Sequence, residues 1–157
     1  MRGKVNNALE KLLLIIISVM LLSVIWQVIS RYLLGTPSTL TDEIASYALI
    51  WLGLYGAAYA SGKELHLAID LVPAKVVSKN PLVFSGIVSL AIITFALLVM
   101  VIGGMRLCYL TYLLGQRSAA LEVPLAFVYS ALPISGLLIT YYSMDSFLQT
   151  RRKTLKD

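Results

Sequence analysis

Catalysis needs titratable or nucleophilic side chains brought within reach of one another, and this chain carries few candidates. In 157 residues there is one histidine, His66, one cysteine, Cys108, eight acidic residues and thirteen basic ones. A single histidine cannot supply a two-histidine haem ligation, and no cysteine or carboxylate cluster has the spacing of a metal site. A Ser-His-Asp relay would need His66 sheltered beside a carboxylate. Glu10, Asp42, Glu43, Asp70, Glu122 and Asp145 instead fall at the edges of apolar runs or between them. Neither an enzyme nor a cofactor is expected, and Cys108 has no partner for an internal disulfide.

The polar residues that stand out mark contacts rather than reactions. Gln27 and Arg31 lie one helical turn apart at the end of an apolar run, and Asp42 and Glu43 open the next. Arg31 is placed to pair with one of those acids across a hairpin, to snorkel to lipid phosphate, or to grip a partner subunit. Trp51 reads as a packing residue, having no companion polar cluster. Gly53, Gly56, Ala57 and Ala60 give its segment a smooth face, as Gly103 and Gly104 do further on. In lipid, small residues let helix backbones approach closely, either within the chain or onto another membrane subunit.

The elements that carry these residues follow from composition. Hydrophobic residues make up 59% of the chain and charged ones 13%, with a mean hydropathy of +0.84. A soluble domain has roughly 25% charged residues, so a water-soluble fold is excluded. Stretches 12–30, 44–62, 80–105 and 123–144 contain no charged side chain. Each reaches the roughly 20 residues that cross a hydrocarbon core about 30 Å thick. Membrane strands would alternate in polarity, which the unbroken apolar run from Leu12 to Ile17 contradicts. The expected fold is an all-α integral membrane protein, one domain whose four transmembrane helices cover approximately 12–34, 43–61, 82–105 and 125–147. Residues 1–11 and 61–80 are candidates for amphipathic segments at the interface, the former equally for a plain extension of the first helix. No small-x-small cleavage site follows the first apolar run, so it is retained as an anchor.

Ten of the thirteen basic residues cluster at the N-terminus, the middle loop with Lys63, Lys75 and Lys79, and the tail. Only Arg31, Arg106 and Arg117 belong to the opposite side. Lysine and arginine resist translocation, so both termini are expected in the cytoplasm. The net charge of +5 is accounted for by headgroup attraction at the span ends, without a nucleic-acid partner. Gly35 and Pro37 should end the first helix, and Thr39 with Asp42 fits the capping pattern of the second. The third helix is expected to run past Arg106 towards Leu114. Tyr109, Tyr112, Tyr129, Tyr141 and Tyr142 are assigned in part to an interfacial belt.

The run Trp26-Gln-x-x-x-Arg31-Tyr32, then Thr41-Asp-Glu43, Trp51-x-x-x-x-Gly56-Ala57-Ala58, Lys63 and His66, resembles the small membrane subunit of tripartite ATP-independent periplasmic (TRAP) transporters. Ser118-Ala-Ala-Leu-Glu-Val-Pro124 and Tyr129-Ser-Ala-Leu-Pro-Ile-Ser135 look like the same family. Leu40 and Lys63 stand where family members often carry a tryptophan and an arginine. The resemblance implies a three-part importer in the bacterial inner membrane. A periplasmic substrate-binding protein delivers an organic acid, a dicarboxylate or a sialic acid, to a large multi-span subunit that moves it with sodium. The small subunit would brace the scaffold of the large one, with phospholipid alongside. Gln27, Arg31, Asp42, Glu43, Trp51, Gly56, Lys63 and His66 would then form its subunit or lipid interface. The alternative is a self-contained, dimeric multidrug-type carrier, which would need a membrane-embedded carboxylate that the apolar runs lack.

Overall fold

The computed structural model describes residues 2–63 and 81–154. In hydrocarbon every backbone N–H and C=O must be satisfied internally, so apolar runs of this length become helices even where β-branched residues crowd, as at Ile15, Ile16 and Ile17. Helix α1 covers Arg2–Tyr32 and α2 covers Thr39–Gly62. Helix α3, Pro81–Phe95, continues through a π-helical stretch, Ala96–Gly103, into α4, Gly104–Leu113. A short helix α5, Leu125–Tyr129, leads into α6, Ala131–Thr154. Among the described residues the only β-type pairing is an isolated bridge between Arg117 and Pro124. Among the described residues four helices are long and apolar enough to cross a membrane.

Residues 2–11 continue α1 without a break, the plain-extension alternative. Gly35, at φ +67, turns the chain after α1, a conformation in which a side chain is strained. Ser38 rather than Thr39 occupies the cap position of α2, and its hydroxyl makes no capping bond. The Thr41 hydroxyl donates to the Ser38 carbonyl at 3.1 Å. The third helix passes Arg106 and ends at Leu113, where Gly115 at φ +61 reverses it.

Helix α6 is the central element, packing on α2, on α3 and on the π-helical stretch, whereas α1 packs mainly on α2. The most apolar window of the fourth span is 28% buried and those of the other three only 11%. Most of the apolar surface of α1, α2 and the third helix is therefore left for lipid or for another chain.

Close approach is made by glycines. A Cβ on Gly136 would lie 2.7 Å from the Met100 Cβ and 3.2 Å from the Ala96 carbonyl, so α6 lies directly on the π-helical stretch. A Cβ on Gly104 would meet the Pro133 Cδ at 2.9 Å, and one on Gly62 would meet Asn6 and Tyr142, each at 2.9 Å. Gly53 and Gly56 have nothing within 4 Å. Among the described residues, nothing covers the α2 face at Gly53 and Gly56. Gly104 packs as expected, while Gly103 meets only the Leu98 carbonyl, at 3.7 Å.

Candidate functional site: a polar belt at the hairpin end

At the end of the molecule where α1 turns into α2, polar side chains tie together segments far apart in sequence. The Gln27 amide donates to the Asp42 carboxylate at 2.6 Å across the hairpin. The Glu43 carboxylate accepts the backbone N–H groups of Ala120 and Leu121 at 2.9 and 3.0 Å, one to each oxygen. Amide hydrogen bonds to an ionised acceptor are short and about twice as strong as neutral ones. The connection after α4 is thereby held on α2, although it belongs in sequence to α4 and α5. Its own bonds shape it into a narrow hairpin: Ser118 N–H to Val123 O at 2.9 Å and Leu125 N–H to Gln116 O at 3.0 Å. Glu122, at φ 55, sits at its tip.

One α-helical stretch further in, the Trp51 indole N–H donates to the Val128 carbonyl at 2.9 Å. Its ring packs on Phe127, centroids 5.3 Å apart, and edge-on to Tyr55 at 6.4 Å. Trp51 is thus a packing residue that fastens α2 to α5.

Arg31 does not make the ion pair open to it. Both acids are engaged by other donors, and the exposed Arg31 guanidinium makes no ion pair or hydrogen bond among the described residues. Two backbone amides on Glu43 and the Gln27 amide on Asp42 compete well against a flexible exposed side chain that would lose rotamer freedom on pairing.

The opposite end has its own cluster. Tyr142, fully buried rather than in a belt, donates to the Asn6 side-chain oxygen at 2.6 Å, over the bare Cα of Gly62. The Tyr59 hydroxyl bonds Glu10 at 3.3 Å, and the Lys63 ammonium lies over the Tyr59 ring at 5.4 Å. The expected interface residues therefore divide. Gln27, Arg31, Asp42, Glu43 and Trp51 gather towards the hairpin end, Gly56 lies open on α2, and Lys63 is at the far end. His66 lies outside the described residues. Asn6, Gly62 and Tyr142 were not singled out as contact residues, since their pairing depends on helices joined only by tertiary packing.

Among the described residues no group of three or more His, Cys, Asp or Glu side chains could hold a metal ion. The arrangement fastens helices and presents surface.

Residues 20–153 match the family described as tripartite ATP-independent periplasmic transporters, DctQ component. A TRAP transporter small permease protein of Haemophilus influenzae is 32% identical over 71 residues, covering 45% of this chain and 44% of that protein. The chain thus matches less than half the length of that relative. The sialic acid TRAP transporter small permease protein SiaQ of Vibrio cholerae is 23% identical over 161 residues, covering 99% of this chain and 88% of SiaQ. With its four apolar helices and a family match running from α1 to α6, the chain belongs to the DctQ component family of tripartite ATP-independent periplasmic transporters.

Proposed function

We propose that this chain is the small, non-catalytic membrane subunit of a sodium-coupled, binding-protein-dependent importer of organic acids, and that it braces the scaffold of a large multi-span transport subunit. The observation that carries this reading is the face of α2 at Gly53 and Gly56, where nothing among the described residues comes within 4 Å of a Cβ placed on either glycine. Helix association in lipid relies on close van der Waals packing, for which such a face is suited. The sialic acid transporter relative supports a carboxylate substrate of the sialic or dicarboxylic type. The basic clusters support an inner-membrane orientation with both termini in the cytoplasm. The belt of Gln27, Asp42 and Glu43 then faces the periplasm, where a binding protein docks. The unpaired Arg31 serves as a contact for lipid phosphate or for the large subunit.

The test is purification from native membranes in mild detergent, followed by sodium-gradient uptake with and without this chain. A large polytopic subunit at equal stoichiometry, with uptake lost when this chain is deleted, is the expected result. Recovery of a stable homodimer alone would overturn it.

A further inference from the structure

We propose that the end of α1 holds the phosphate of one membrane phospholipid, in a pocket built from Gln27 and Arg31. Positions 27, 28, 31 and 32 share one face of a helix, and Gln27, Val28, Arg31 and Tyr32 wall a pocket of about 270 Å³ there. Its lining is mostly polar, and Arg31 carries its only formal charge. Asp42, at the far end of its bond to Gln27, is not among the walls. The site is therefore cationic.

The bond to Asp42, at 2.6 Å, fixes the Gln27 amide and uses one of its two N–H groups. The other has no acceptor among the described residues, and neither has the Arg31 guanidinium. Two donors one turn apart, one of them a planar fork suited to phosphate oxygens, suit a single tetrahedral anion. Both acids within the hairpin are held by other donors, so the counter-ion of Arg31 comes from outside the chain.

Depth identifies that counter-ion. The first candidate span, Val5–Tyr32, has 28 residues and is about 42 Å long at 1.5 Å per residue. A bilayer with its headgroup layers is about 40–45 Å thick, so the last turn of α1 lies among headgroups, where phosphate is the abundant anion. Leu21, Val24 and Val28 are exposed at helical spacing along the same side of α1, which gives the acyl chains of that lipid an apolar track inward. Of the two contacts open to Arg31, the pocket thus favours lipid phosphate. This inference rests on the membrane spans and not on the transporter reading.

Native mass spectrometry of the full chain in mild detergent tests it, with dioleoyl phosphatidylglycerol and, as the phosphate-free probe, dioleoylglycerol. One phosphatidylglycerol should stay bound per chain, and dioleoylglycerol several-fold less. Arg31→Ala should lower phosphatidylglycerol retention about tenfold, to the level of dioleoylglycerol, and Arg31→Lys should fall between. Arg106→Ala should leave it unchanged, since Arg106 is equally exposed and unbonded among the described residues but walls no part of the pocket. Equal losses from Arg31→Ala and Arg106→Ala would mean unspecific attraction and overturn the proposal, as would equal retention of the two lipids or no effect of Arg31→Ala. Displacement of the lipid by excess inorganic phosphate would also overturn it, marking a site for a free anion.

Discussion

Glu43 holds two backbone amides with one side chain, and its removal should be felt in the outer loop rather than in the helices. In Glu43→Ala, the amides of Ala120 and Leu121 should exchange hydrogen measurably faster, while those of α6 around Tyr142 keep their protection. Trp51→Phe retains a ring against Phe127 but strands the Val128 carbonyl. A loss of about 1 kcal/mol is expected, readable as a lower thermal midpoint in detergent. The two residues were not equally legible. Trp51 could be read as a packing residue from its lack of polar company. Glu43 could be placed at a helix start by its position, but the amides it holds lie 77 and 78 residues away, and no local pattern announces them. Arg31 shows the converse: of the three roles open to it, pairing with a nearby acid looks available until that acid's other donors are known.

At the scale of helices, glycines that look alike in the sequence do different work. Gly136→Ala would push a methyl to 2.7 Å from the Met100 Cβ, closer than a real Cβ tolerates, and to 3.2 Å from the Ala96 carbonyl, a tight contact. Overpacking of this kind costs about 1–3 kcal/mol, so thermal unfolding should shift clearly. Gly53→Ala should change the stability of the isolated chain by less than about 0.5 kcal/mol, yet reduce recovery of the large subunit if that face is covered in the complex. The helices themselves were legible because length and hydropathy decide them before any tertiary contact does. The π-helical stretch was not. Ala96–Gly103 is apolar throughout, and only the approach of Gly136 distinguishes it from the residues on either side.

Across the whole molecule, charge distribution and connectivity make a joint statement. Gly3, Arg117 and Arg151 are all exposed, and with Cys108 replaced by serine each can be converted singly to cysteine. An impermeant maleimide should label Arg117→Cys in spheroplasts, and Gly3→Cys and Arg151→Cys only after permeabilisation. The reverse pattern would invert the topology. The bonds that close the molecule also set an order of events during its synthesis. Glu43 and Trp51 leave the ribosome 77 residues ahead of Ala120 and Val128, the partners they finally take. At roughly 5–20 residues per second, that interval lasts about 4–15 s. Through those seconds a carboxylate and an indole N–H enter the bilayer without their native acceptors and donors. Until the later segments arrive, the first hairpin is held by its own contacts: the packing of α1 on α2, the Gln27–Asp42 clasp and the Tyr59–Glu10 bond.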